Sequence, residues 1–214
     1  IRLSGMNLIV DDQDHPLIIK VASVPSTRIQ VYFIDNEEYF KRKSIECEED
    51  GAVCQDNDER SMFFCRGVME TVKKLGWKPD AIVCSGWMSA FMPLYIKDVF
   101  AHEPHFSDAK LVYSVFNDVE NFKFSDRFLD KLKFDGFSEE TIAQLQDGDL
   151  KSVKELAIRL SDGLVFCSKS ESELTDAAID TLDCRKIDFS TDETPMKVLS
   201  DFIDKLVEEE ILSE

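Results

Sequence analysis

The chain opens on short runs of β-branched and aromatic residues. MNLIV (6–10), PLIIKVASV (16–24) and RIQVYFID (28–35) are separated by the polar stretches DDQDH and PST. Runs of that length bounded by Asp, Pro and Ser predict strands joined by turns, here a meander or hairpin pair at one side of a sheet. An acidic loop, ECEEDGAVCQDND (46–58), follows, and Asn57 or Asp58 is placed to cap a helix beginning at Glu59. From there the apolar period lengthens. Met62, Phe63, Cys65, Val68, Met69, Val72 and Leu75 recur at helical spacing, and Gly76 stops the run.

The remaining chain alternates. DAIVCS (80–85) reads as a strand, and WMSAFMPLYIKDVF (87–100) as a helix kinked at Pro93. AKLVYSVF (109–116) is a second strand, and residues 124–159 give three short helical pieces. DGLVFCS (162–168) is a third strand, and SESELTDAAIDTL (170–182) a helix opened by Ser170 or Ser172. RKIDF (185–189) is a short strand. The last helix has Thr194 as its cap and Pro195 at its first position, and its apolar face runs along Val198, Leu199, Phe202, Ile203, Leu206 and Val207. Strands that alternate with helices, and are apolar throughout, belong to a parallel sheet covered on both faces. The pattern predicts an α/β, Rossmann-like, doubly wound domain over residues 1–214, ending in an amphipathic helix at 195–213. No internal repeat or low-complexity linker divides it.

Composition narrows the partners. Asp and Glu outnumber Lys and Arg by 43 to 25, a formal charge of −18, which repels phosphate backbones and anionic membranes. Nucleic acid and membrane are therefore not expected partners. No apolar run approaches the roughly 18 residues of a membrane span. The chain starts at Ile1 on a strand pattern with no signal peptide, so a natural N-terminus is expected upstream. Six cysteines without a CxxC pair, three of them (Cys65, Cys84, Cys167) in apolar segments, fit reduced thiols and a cytoplasmic location. Cys47 and Cys54 flank the acidic loop and are the one pair spaced for an oxidative cross-link.

In parallel sheets the ligand lies at the carboxyl ends of the strands, where helix N-termini converge. Those ends are Cys84-Ser85-Gly86-Trp87, Ser114-Val115-Phe116-Asn117 and Cys167-Ser168-Lys169-Ser170. Neither GxGxxG nor GxxxxGK[ST] occurs, so no dinucleotide or P-loop fingerprint is present. Ser85 as nucleophile needs a base, and the histidines (His15, His102, His105) fall in turn-like segments, so an ordinary turn residue is the reading of Ser85. Cys84 ends an apolar strand as an inert thiol. His102 and His105 have metal-like spacing without a third ligand, which makes a solvated loop of them. Trp87, at a helix start, is either a stacking surface for a sugar or base, or core.

Several blocks together resemble a known family. VYFIDNEEYFKRK (31–43), DNDERSMFFCRGVMETVKKLGWKPD (56–80), GWMSAFMPLYIK (86–97), KLVYSVFN (110–117) and DGLVFCS (162–168) follow in the order and spacing of the N-terminal half of bacterial glycogen and starch synthases. These are retaining glucosyltransferases that extend α-1,4-glucans from ADP-glucose and have the two-lobed GT-B architecture. Where that family reads PDVVHAHDWH, this chain reads Pro79 to Met88. The two histidines fall on Val83 and Ser85, the aspartate on Gly86, and only Trp87 is kept. The second histidine, placed against the transferred glucose, is the one Ser85 replaces. The family's T-I/V-H-N strand end falls on Ser114 to Asn117, with Phe116 at its histidine and Asn117 kept. Asp56 and Asn57 match its DN pair, and Arg60 its arginine.

The resemblance implies α-glucan-facing positions at Ser85, Gly86, Trp87, Asn117, Asp56 and Asn57, with no catalytic residue assigned, no metal and no bound cofactor. ADP-glucose is the family's substrate. The family's KxGGL loop would lie upstream of Ile1, and its sugar-nucleotide domain would follow Cys184. Stabilising the departing diphosphate needs preorganised cations, and the strand ends offer only Lys169. The expectation is a non-catalytic domain whose partners are glucan, a protein or a second copy of itself, with regulation or scaffolding as its role. Two alternatives stay open: an active half-enzyme completed by another chain, and a domain that kept the fold and binds something unrelated.

Overall fold

The computed structural model describes residues 2–43, 45–48, 50–116, 121–167, 184–188 and 195–211. Strands β1 (Arg2–Val10) and β2 (Gln13–Ser23) are joined through Asp11 and Asp12, both with positive φ, the two-residue turn whose twist suits a hairpin. Strand β3 (Gln30–Asp35) adds antiparallel to β2. These three form a sheet of their own, not one side of the parallel sheet. The cause is their alternation. His15, Leu17 and Ile19 turn inward while their neighbours face solvent, so one face is free to pack on a helix. Tyr39, from the four-residue helix α1 (Glu37–Phe40), and Phe63 complete that small core. Asn36 opens α1 by accepting the amides of Glu38 and Tyr39.

Helix α2 (Asn57–Lys74) begins two residues before the expected start, with Asp56 at the cap position and no side-chain cap bond. Asn57 and Asp58 fall inside the helix rather than before it, and Asp58 Oδ1 accepts the free Glu59 amide at 2.8 Å, as expected. Asp58 accepts from Ser125 Oγ at 2.6 Å and Lys131 Nζ at 3.0 Å. The chain of contacts continues. Lys131 pairs with Glu59 at 2.6 Å, Tyr39 donates to Glu59 at 3.1 Å, and His15 meets Tyr39 Oη at 3.0 Å and Glu38 at 3.1 Å. This seam ties the antiparallel sheet to α2 and to helix α4 (Phe128–Asp135). Burial alone would lower the Lys131 ammonium, but the two carboxylates outweigh it and raise it. His15 thus lies in a strand, inside the core, and not in a turn.

The second sheet is parallel: β4 (Ala81–Ser85), β5 (Lys110–Val115), β6 (Gly163–Phe166) and β7 (Arg185–Asp188), in chain order. One face carries Cys84, Leu111, Tyr113 and Leu164 against α2, the segment 87–99 and helix α6 (Leu150–Arg159). The other carries Val112 and Val165 against Phe202 and Leu206 of helix α7 (Pro195–Ile211). Helices therefore cover both faces, as a doubly wound sheet requires. Gly163 lets α7 approach: a Cβ there would stand 2.8 Å from Leu206 Cδ1 and Phe202 Cζ.

Residues 87–99 are helical but change pitch. A 3₁₀ turn (Trp87–Ala90) passes into α3 (Phe91–Leu94) and then a π turn (Tyr95–Val99). Pro93 supplies no N–H in the middle of this run, so pitch adjusts on both sides of it. Three pieces, α4, α5 (Glu139–Ala143) and α6, fill residues 128–159 as expected. The expected helix at 170–182 and the cap at Thr194 lie outside the described residues.

Candidate functional site

Strand β4 delivers its last side chain, Ser85, to the carboxyl edge of the sheet, beside Ser114 of β5 in the parallel register. Ser85 Oγ donates to Ser114 Oγ at 3.1 Å. By strand alternation both hydroxyls sit on the α7 side, yet α7 packs farther along the sheet, against Val112 and Val165. The corner above β4 is consequently open. Val83 is 40% exposed, Ser85 is exposed, and Phe116, one residue past β5, is 38% exposed. Those three are the positions at which the family pattern places histidines. Among the described residues β4 pairs only with β5, so its other edge is open too.

Gly86 follows with φ 79° and ψ 163°. That region is essentially closed to residues with a Cβ. The turn is fastened by Ser89, whose amide and hydroxyl donate to the Gly86 carbonyl at 3.1 and 2.8 Å. Trp87 then goes inward. It is 4% exposed and meets Phe122 edge-on at 5.5 Å, so its indole is core and not a surface for a sugar ring. Asn117 and residues 168–170 lie outside the described residues.

Asp56 and Asn57 reach the same end of the sheet by topology. The short link from Leu75 to Asp80 makes α2 run antiparallel to β4, which puts the N-terminus of α2 at the carboxyl ends of the strands. Their side chains, however, are occupied. Asp56 accepts two bonds from the Arg42 guanidinium, one at 2.8 Å. Asn57, fully buried, donates to the Glu46 carbonyl at 2.9 Å and accepts from Arg60 at 2.9 Å. The pair holds Arg42 and Glu46 against the start of α2. Burial, reinforced by Arg42, lowers the Arg60 guanidinium pKa, and its Nε is buried without a partner. Reading the site from sequence missed Arg42, because nothing in a 14-residue separation signals its pairing with Asp56.

The nucleophile inventory is short. Burial pushes the Cys84 thiol up to about 12, and burial with Cys84 beside it raises Cys65 as well. Neither is a thiolate at neutral pH. No histidine stands near Ser85: His15 is in β2, and His102 and His105 belong to the loop that enters β5 at its amino end. His105 Nδ1 lies 2.7 Å from Glu103 Oε1. Among the described residues no three His, Cys, Asp or Glu side chains are grouped to hold a metal ion. Among the described residues, the corner at the end of β4 offers the hydroxyls of Ser85 and Ser114 and the apolar side chains of Val83 and Phe116, with no histidine beside them.

A parallel sheet covered by helices on both faces, with polar turns at its carboxyl edge, defines a doubly wound α/β domain. The chain belongs to the starch synthase catalytic domain family, whose profile matches residues 3–178. It is 42% identical over 118 residues to a glycogen synthase of Chlorobium limicola, covering 55% of this chain and 24% of that protein. A glycogen synthase of Chlorobium phaeovibrioides is 30% identical over 176 residues, 81% of this chain and 35% of the relative. The chain thus spans about a quarter to a third of the length of these relatives. In fold it is similar to the catalytic domain of starch synthase IV from Arabidopsis thaliana, solved bound to ADP and acarbose. The TM-score is 0.57 at 19% identity, over 78% of this chain and 34% of that one. No described helix is long and apolar enough to cross a membrane.

Proposed function

We propose that this domain is a glycogen-synthase-like module that holds an α-glucan or a protein partner and does not transfer glucose by itself. The observation that carries this reading is the uncharged corner at Ser85 and Gly86. A transfer step that separates a sugar from a diphosphate needs donors and cations aimed at the developing charge. Among the described residues, Arg42, held beside the start of α2, is paired with Asp56. Glucan is the ligand class suggested by the names of the relatives, glycogen synthases and a starch synthase. Six free cysteines support a reducing, cytoplasmic setting. Incubation of the purified chain with ADP-glucose and glycogen is expected to release no ADP above a blank; release would overturn the non-catalytic reading.

A second reading is favoured by one feature, the open edge of β4 with Val83 and Phe116 exposed beside Ser85. Another chain seated there would complete a cleft and give an active ADP-glucose:α-1,4-glucan glucosyltransferase. In that case ADP release appears only when the second chain is added. Neither reading requires a cofactor or a metal.

A further inference from the structure

We infer that Trp77 and Tyr32 form an α-glucan platform separate from the Ser85 corner; this inference rests on the glucan reading above. Trp87 is sealed in the core, whereas Trp77 is 43% exposed. Its position is built, not incidental. Helix α2 ends in a motif with Gly76 at φ +66°, the Gly76 amide bonded to the Lys73 carbonyl at 3.0 Å and the Trp77 amide bonded to the Val72 carbonyl at 3.1 Å. That pair of bonds fixes the backbone that carries the indole. The ring is fixed in turn by Tyr32, which meets it edge to face at 5.2 Å and 89°.

Two aromatic rings held at a right angle offer a corner, with one indole surface partly open to solvent. A pyranose presents flat C–H faces and an equatorial rim of hydroxyls, so it stacks on a fixed ring and hydrogen-bonds at the edge. An uncharged polar group stands beside Tyr32. Tyr32 Oη donates to Gln30 Oε1 at 2.7 Å, which orients the Gln30 amide and leaves its NH₂ as a donor. The residue at this place in such a helix-ending motif needs only to be apolar. An ordinary Leu would serve the helix; a half-exposed indole pinned by a tyrosine does more. Because Trp77 precedes β4 and Ser85 ends it, the platform lies toward the amino ends of the strands, opposite the Ser85 corner. A polymer held there is tethered without filling that corner.

The test is affinity electrophoresis in glycogen-containing gels, with maltoheptaose titration by calorimetry. Trp77→Leu keeps the apolar contact with α2 and removes the stacking surface, and its thermal melt confirms folding. The wild type is expected to be retarded by glycogen. Trp77→Leu should weaken maltoheptaose binding about ten-fold, and Trp77→Phe should recover most of it. Retardation of Trp77→Leu equal to that of the wild type overturns the platform while leaving the glucan reading intact. A wild type with unchanged mobility overturns both.

Discussion

Two polar regions of this molecule sit within reach of the same helix and are built in opposite ways. The seam at the start of α2 buries Asp58, Lys131 and His15 and partners each of them. The corner at the end of β4 exposes Ser85, carries no charge, and is held by one hydroxyl contact and a glycine turn. Among the described residues, the buried charged groups join the antiparallel sheet to α2 and α4, and Ser85 and Gly86 bring none to the corner. In a protein whose acidic surplus is large, such pairing inside and neutrality at the edge separate the architectural use of charge from any chemical use.

The sharpest way to break that contrast is to remove Lys131. Lys131→Met strands the buried Asp58 carboxylate and should cost about 3–5 kcal/mol by urea unfolding. Adding Asp58→Asn should restore part of the loss, and a cost under about 1 kcal/mol for the single variant would show that the seam is not a structural clamp. Next in size, Gly163→Ala forces a Cβ into Leu206 and Phe202 of α7. It should cost about 1–3 kcal/mol in thermal melts, by displacing the helix that covers that face.

A smaller effect tests a partly exposed charge. Asp149 caps α6 by accepting from the Ser152 amide at 2.9 Å. Burial pushes its carboxyl up, but the Ser152 amide, Asn121 and Lys123 outweigh burial and leave it below the ordinary value. A depressed carboxylate stabilises fully above its unfolded value and loses that stabilisation as the pH falls through its folded one. Asp149→Ala should therefore cost about 1 kcal/mol at neutral pH, and the gap to wild type should close toward strong acid. The smallest expected effect is at the corner itself. Ser85→Ala should cost less than about 1 kcal/mol, since Ser85 is exposed and its buried partner Ser114 loses one hydroxyl contact. A larger loss would place Ser85 among the architectural residues.

The alternation of apolar strands and helices was enough to read the parallel sheet, α2, the pieces 128–159 and the last helix, because each buries one continuous face. The resemblance in residue blocks pointed to the family that the comparisons then established. Less legible were contacts between distant residues. That Asn57 and Asp58 would be consumed in buried bonds depended on Glu46, Arg60, Ser125 and Lys131, and α1 is too short to show a period. Trp87 left two readings open in the sequence, and burial beside Phe122 decided between them. Trp77 looked like any residue after a helix-ending glycine; only the approach of Tyr32 from another sheet gives it a distinct setting.

Gly86 bears on the route by which the family's turn can be regained. Its φ and ψ exclude the aspartate that the family pattern places there. A histidine introduced at position 85 changes only an exposed side chain at the end of β4. An aspartate at position 86 must first rebuild the backbone path, including the two bonds from Ser89. The two substitutions are thus unequal: position 85 asks for a new side chain, and position 86 for a new backbone as well.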